Sequence, residues 1–330
     1  MLADIVEHLA CPVCRQPVRL EHRSLRCANG HGYDVAKQGY VSLLVGSRPP
    51  GTADSAAMVE ARAGFLDAGH YAPLARALAR SVRARIEGER VPPDFRTESF
   101  AHSPDDGSVK AYGGAEVSFG HETRLVGPIV VDAGAGTGYY LAAVLEATAR
   151  GVGMAFDVSK HAVRRAARAH PRMGAFVADV WRPLPILDRT ADVVINVFAP
   201  RNGPEFRRIL RPGGAVLVVT PAPEHLSPLV EELGLLSVDA DKERRVARSL
   251  EGFTETDRQE VGFDMELGPA DVLAVVGMGP SAWHTDTSRL QERISSFFSR
   301  SVAKNREKVV TRAEFHLSTF EVTSRSSDGA

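Results

Sequence analysis

Apolar and polar positions change their rhythm several times along this chain. Between Thr52 and Ile86 apolar residues recur every three or four positions in "AAMVEARAGFLDAGHYAPLARALARSVRARI". That period predicts helix, capped at Asp54 or Ser55 and broken into two at Gly69 and Pro73. From Gly88 to Gly127 the period disappears into Pro, Gly, Ser and charge, which predicts a long loop or insertion. From Pro128 the texture sharpens. "PIVVDAGAGTGYYLAAVLEA" reads as strand, glycine turn and helix, and "GVGMAFDVSKHAVRRAARAH" repeats strand and helix. "GAFVADVW", "ADVVINVFAP" and "GAVLVVTP" are three more continuous apolar strands. Strands apolar on both faces, alternating with helices, predict a parallel sheet covered on both sides, the Rossmann-like α/β class. Further helices are expected at "HLSPLVEELGLL" and "PADVLAVVGM", a last strand at "EFHLSTFEV", and a polar tail over 323–330.

The organisation expected is therefore a small module at 1–46, a helical linker at 47–87, an insertion at 88–127 and the α/β domain at 128–322. The 330 residues carry a net charge near −1, so any nucleic-acid surface has to be local rather than global. No apolar run approaches membrane-spanning length, and "MLADIVEHLA" lacks the basic start of a secretory signal. Three cysteines without an export signal point away from a disulfide framework and toward the cytoplasm.

All three cysteines fall in "CPVCRQPVRLEHRSLRCANGH". Cys11 and Cys14 form a C-x2-C turn, and Cys27 and His31 return after twelve residues. Four N/S ligands at this spacing suit tetrahedral Zn²⁺ and leave no open position, so the metal is expected to be structural. Arg15, Arg19, Arg23 and Arg26 surround the knuckle, either as phosphate contacts or as a solvated rim.

In the α/β domain, Gly134, Gly136 and Gly138 lie between strand and helix, with Thr137 among them, where backbone amides approach a ligand. The G-x-G-x-G pattern lacks the Gly-Lys-Ser/Thr of a Walker loop and the spacing of a dinucleotide fingerprint. Asp132 ends the first strand and repels a pyrophosphate but suits an ammonium group. Asp157 ends the second strand, where an acid accepts from ribose hydroxyls, and Asp179 ends the third, placed for an adenine amino group. Ammonium, ribose and adenine without phosphate describe S-adenosylmethionine.

With the zinc knuckle, "YDVAKQGYVSLL", "FLDAGHYAPL", "VDAGAGTGYY", "FDVSKHAVRRAA", "NVFAPRN", "LRPGGAVLVVTPAPEHL" and "MGPSAWH", the chain resembles the RlmA family of 23S rRNA guanine-N1 methyltransferases. It is most similar to the actinomycete branch associated with tylosin and mycinamicin resistance. The resemblance implies a class I methyltransferase fold with an N-terminal zinc module. It implies methylation of N1 of a guanine in a domain II hairpin loop of 23S rRNA, near the macrolide site. It also implies cofactor contacts at Tyr71, Gly136, Thr137 and His225, and a homodimer whose zinc modules help form an RNA cleft.

Asn196 and Phe198, after the fourth strand, are candidates for base-edge contact and stacking. The general base is open among Asp179, His225 and an acid from another loop. Lys160, Arg164, Arg165, Arg168 and Arg172, with Arg201, Arg207, Arg208 and Arg211, are either phosphate contacts or a solvated face. Two rivals stand beside the rRNA reading. One is a small-molecule methyltransferase, which the knuckle argues against. The other is an inactive RNA-binding protein, which the intact acids and glycine loop argue against.

Overall fold

The structure, a computed structural model, describes residues 1–46, 53–88, 127–227, 229–233, 242–278, 287–302 and 307–323. Most of the expected insertion, most of the polar tail and all but the first residue of "MGPSAWH" lie outside the described residues.

The N-terminal module opens with helix α1 (Leu2–Ile5) and a short 3-10 turn. It continues as a three-stranded antiparallel sheet of β1 (Val18–Glu21), β2 (Ser24–Cys27) and β3 (Gly32–Asp34). Its last strand, β4 (Val41–Ser42), leaves that sheet and runs parallel to the edge of the large one. Two helices follow. In α2 (Ala56–Asp67) Ser55 caps the N-terminus by accepting from the amide of Met58. The chain then turns through Gly69, at φ +82°, into α3 (Ala72–Glu87), which takes Pro73 in its first turn. The expected break thus falls between Asp67 and Ala72.

The large sheet contains β5 (Ile129–Ala133), β6 (Val152–Asp157), β7 (Met173–Val177), β8 (Ala191–Val197) and β9 (Leu210–Pro221). It also holds β10 (Phe253–Leu267) and β11 (Val309–Val322). Their order is β10-β11-β9-β8-β5-β6-β7-β4, parallel except for β11, which runs antiparallel to β9 and β10. The strand order reverses between β5 and β8, and such a switch point opens a crevice at the carboxyl ends of the strands. This is the parallel α/β arrangement that the alternating pattern predicts and the class I methyltransferase fold that the resemblance implies, extended at one edge by β4.

Helices α2, α3, α4 (Tyr139–Ala147), α5 (Lys160–Ala166), α7 (Leu229–Glu232), α9 (Pro269–Gly277) and α10 (Thr287–Val302) cover one face. The zinc module, α1, α6 (Gly203–Ile209) and α8 (Lys242–Ser249) cover the other. The module is therefore part of the domain's packing. Ile5 is fully buried above Gly174, where an added Cβ would lie 2.5 Å from its side chain. Leu9 bridges Ile186, and the Ala10 amide donates to the Pro185 carbonyl. Truncating a buried isoleucine such as Ile5 to alanine costs about 2–5 kcal/mol. Among the described residues no helix is long and apolar enough to cross a membrane.

Candidate active site and metal centre

The knuckle closes as its spacing predicts. The ligand atoms of Cys11, Cys14, Cys27 and His31 all lie within 4.8 Å of one another. Cys14 Sγ and Cys27 Sγ are 3.6 Å apart, and His31 Nδ1 lies 3.6 Å from Cys11 Sγ and 3.4 Å from Cys27 Sγ. Ideal Zn–S and Zn–N bonds at tetrahedral angles give edges of about 3.8 Å and about 3.5 Å. These three edges match a tetrahedral zinc site, and the four atoms together can hold the ion. Burial pushes the Cys11 thiol up, but the Tyr33 hydroxyl 3.1 Å away and the amides of Cys14 and Val13 outweigh it and bring the thiol down to about 6. A thiolate held by an outer-shell donor is what a structural zinc requires. Arg15, at φ +64°, donates to the carbonyls of Leu184 and Ile186. It ties the knuckle to the domain, so the phosphate contact expected of it gives way to this anchoring role. Arg19 and Arg23 are exposed, which fits a phosphate contact and a solvated rim alike.

The glycine loop uses each glycine differently. An added Cβ on Gly134, at φ +81°, would strike Ala199 at 2.4 Å, so this glycine lets the β5 and β8 loops meet. On Gly138, at φ +80°, it would meet Ala166 of α5 at 3.0 Å. Gly136, at φ +53°, faces the crevice, with Arg62 Nη1 3.5 Å from where its Cβ would be.

Asp132 sits at the foot of this loop, 1% exposed, and its Oδ2 has no hydrogen-bond partner. Burial, followed by the nearby Asp157 carboxylate, pushes it up to about 8. A buried acceptor without a donor is costly, and an entering ammonium supplies donor and charge together. Asp157 accepts from the amides of Gly136 (3.0 Å) and Ser159 (2.8 Å). Each oxygen keeps a further lone pair for a hydroxyl. Asp179 Oδ1 accepts from the Trp181 amide at 3.0 Å, shaping the turn after β7. Thr137 is half-buried at the start of α4.

Tyr71 and His225, 154 residues apart, meet: Tyr71 Oη lies 3.2 Å from His225 Nε2. His225 Nδ1 accepts from the Glu314 amide at 3.2 Å, so the ring proton belongs on Nε2 and points to Tyr71. The tyrosine's own proton is then available to a further acceptor. Around this pair stand Phe315, 5.1 Å from Tyr71 and 4.6 Å from His225 between ring centroids, and Phe198, 5.4 Å from Phe315.

Phe198 holds φ +55° and remains 44% exposed. The left-handed region costs a bulky side chain about 1–2 kcal/mol, and such outliers gather where position matters. Asn196 is different. It is fully buried, its amide donates to the carbonyls of Ala133 and Pro200 (both 2.9 Å), and its oxygen accepts from Arg201 at 3.3 Å. The edge contact expected of Asn196 is replaced by a structural one: it holds the Phe198–Arg201 loop in place.

The basic residues divide in the same way. Lys160, Arg164 and Arg168 are exposed, the two arginines in a groove of about 660 Å³ beside Thr137. Arg165 pairs with Glu60. Arg172 is spent on the carbonyls of Leu145, Thr148 and Gly151, Arg208 on Glu205 and Asp188, and Arg211 on Asp192. These last three are internal struts, and the phosphate role falls away from them.

Three features have no precursor in the sequence reading. Arg62 pairs with Asp54, donates to the Met278 carbonyl at 3.1 Å and roofs the glycine loop. Trp181 stands 64% exposed after Asp179. Helix α8 carries arginines beside the Phe198 loop. Nothing local marks Arg62, which lies inside an ordinary helix, whereas Trp181 is one of only two tryptophans and follows a candidate cofactor acid.

Comparison with known proteins adds the following. Residues 9–46 match the model for the N-terminal region of RlmA, a zinc ribbon, and residues 130–214 match a methyltransferase domain. A Streptomyces fradiae protein named 23S rRNA (guanine(748)-N(1))-methyltransferase is 46% identical over 297 residues, 89% of this chain and 92% of the relative. A Micromonospora griseorubida protein, provisionally named a 23S rRNA (guanine-N(1)-)-methyltransferase, is 50% identical over 301 residues, 90% of this chain and 94% of the relative. A Bacillus subtilis protein with a similar provisional name is 29% identical over 66% of each chain.

Proposed function

The chain belongs to the RlmA family of 23S rRNA (guanine-N1)-methyltransferases, and from that premise we propose how its crevice serves the reaction and where it acts. It transfers a methyl group from S-adenosylmethionine to N1 of a guanine in 23S rRNA. We place that guanine in a domain II hairpin loop, at the position corresponding to guanine 748 in the S. fradiae relative's name. A methyl group beside the macrolide site makes macrolide resistance the expected phenotype.

The observation that carries the assignment is the unpartnered Asp132 carboxyl beneath the glycine loop. Asp132 takes the amino acid ammonium of the cofactor, and Arg62 and the Tyr71 hydroxyl take its carboxylate. His225 fixes the direction of the Tyr71 proton. Asp157 accepts from the ribose and Asp179 from the adenine, with Gly134, Gly136, Thr137 and Gly138 lining the approach. The bound cofactor supplies an electrophilic methyl on a sulfonium. Phe198 offers its exposed ring as a stacking surface for the extruded guanine, and Asn196 keeps that ring in position. The zinc module, fixed on the β7 side of the sheet, faces the RNA with Arg19 and Arg23, and a second copy of the chain completes the cleft.

The test is methyl transfer from labelled cofactor to protein-free 23S rRNA, mapped by primer extension. N1 methylation blocks pairing, so a stop is expected beside a domain II loop guanine. A stop elsewhere refutes the position, and no incorporation with cofactor and zinc bound refutes the activity.

A further inference from the structure

Two exposed aromatic rings stand at the carboxyl end of the sheet, Phe198 after β8 and Trp181 after β7. They belong to one braced rim. The Trp181 amide is held by Asp179, and Arg182 donates its amide to the Asp179 carbonyl at 3.0 Å. Asn202 Nδ2 donates to the Val180 carbonyl at 2.8 Å, joining the turn of Trp181 to the loop of Phe198. Arg201, between Phe198 and Asn202, reaches the other way, with Nε donating to Ser249 Oγ at 3.2 Å. Ser249 ends α8, whose carbonyl passes so close to Gly203 that an added Cβ would lie 2.5 Å from it. Helix α8 is thus seated against the start of α6, with Val246 and Leu250 turned to the core.

What α8 presents outward is positive. Its sequence "KERRVARS" holds Arg244, Arg245 and Arg248 with Lys242 against one acid, and the three arginines are exposed. Arg207 of α6 is exposed beside it, with Nη1 3.1 Å from where a Cβ on Gly252 would be. An indole and a phenyl ring in a braced rim, followed by a run of guanidiniums, match the two needs of unpaired RNA. Bases stack on aromatic faces in a sequence-tolerant way, and phosphates are neutralised by arginine.

We propose that this rim seats the single-stranded loop of the substrate RNA. Trp181 stacks on an unpaired base neighbouring the target guanine, and Arg207, Arg244 and Arg248 hold the phosphates that lead away from Phe198. The proposal deepens the rRNA reading above and rests on it.

The experiment uses Trp181 as its own reporter. The chain has a second tryptophan, Trp283, so Trp283→Phe leaves a single indole. This variant is titrated with a domain II hairpin RNA and separately with S-adenosylhomocysteine. In parallel, RNA affinity and its salt dependence are measured for the otherwise unaltered full chain, for Trp181→Ala and for Arg244→Gln/Arg248→Gln. Quenching of Trp181 by the hairpin is expected. So is at least tenfold weaker RNA binding by each altered protein, with S-adenosylhomocysteine affinity within twofold of the parent. The double arginine variant should also lose about 1.4–1.8 from its log–log salt slope, two phosphate contacts' worth.

Unchanged RNA affinity and slope in both variants overturn the proposal. So does quenching by S-adenosylhomocysteine with no further change on adding RNA, which makes Trp181 a cover for the adenine. Quenching that follows protein concentration instead of RNA makes the rim a contact between copies and also overturns it. Methylation of rRNA by the unaltered chain is scored separately. If it occurs while the variants bind RNA normally, only the rim proposal fails; if the unaltered chain neither binds nor methylates RNA, the functional reading fails first.

Discussion

Replacing Asp132 with asparagine is expected to stabilise the protein and to impair its cofactor binding. The carboxyl is buried, lacks a partner at Oδ2, and titrates at about 8 where 3.8 is ordinary. Between those values the folded protein keeps a proton that the unfolded chain releases. More protons bound in the native state means that stability falls as pH rises, by about 1.4 kcal/mol per unit, levelling off above pH 8. The penalty is absent below about pH 4 and amounts to about 4 kcal/mol at pH 7. Asparagine has nearly the same shape and does not titrate. The stability difference between variant and parent should therefore widen with pH, by about 2–3 kcal/mol from pH 5.5 to 7.5, in urea unfolding of zinc-loaded, cofactor-free protein. Subtracting parent from variant removes the titration of groups that do not interact with Asp132. Binding should change in the opposite sense. The lost charge-assisted contact is worth about 1.5–3 kcal/mol, less the roughly 1.4 kcal/mol the parent spends ionising Asp132 at pH 7. S-adenosylhomocysteine should bind several-fold more weakly to the variant, and only the parent should release close to one proton on binding, read by calorimetry in buffers of different ionisation enthalpy. Parallel stability curves for the two proteins would refute the buried neutral carboxyl, and with it the account of how the ammonium is received.

Arg62→Ala should weaken S-adenosylhomocysteine at least tenfold yet leave 5′-methylthioadenosine, which lacks the carboxylate, within twofold; equal losses would reduce Arg62 to a brace for α2. Phe198→Ala and Phe198→Gly should both lower kcat/KM for rRNA at least a hundredfold with S-adenosylhomocysteine binding intact. The glycine variant should be about 1 kcal/mol more stable than the alanine one, because only glycine is relieved of the left-handed backbone. Chelation of one zinc per chain should expose Leu9, Val18 and Leu25 to a hydrophobic dye and abolish rRNA methylation while S-adenosylhomocysteine binding persists; unchanged methylation after complete zinc removal would contradict a structural metal.

What the sequence shows and what it hides differ by range. The zinc ligands lie within 21 residues and the glycine loop within a few, so their chemistry is set by local spacing and survives without a fold. Strands β5 to β9 are largely buried on both faces and show as mainly apolar runs. Strand β10, at the sheet edge, carries a charged or polar residue at nearly every exposed position and looks like loop until its partner β11 is known. The same limit hid the edge strand β4, two residues long and given meaning only by β7. Asn196 was visible as a residue type but not as a role, because whether an amide faces substrate or backbone depends on Ala133, 63 residues earlier. Arg62 required the α2 helix to be laid across a glycine loop more than 70 residues on, and Tyr71 required its contact with His225. Family resemblance supplied Tyr71 and His225 in advance, but not the hydrogen-bond direction between them. That direction follows from the Glu314 amide, which strand pairing with β9 and β10 places at His225 Nδ1. The cofactor crevice is thus made of local motifs held by long-range contacts, and those contacts decide which of the chemically plausible residues face the ligand and which hold the others in place.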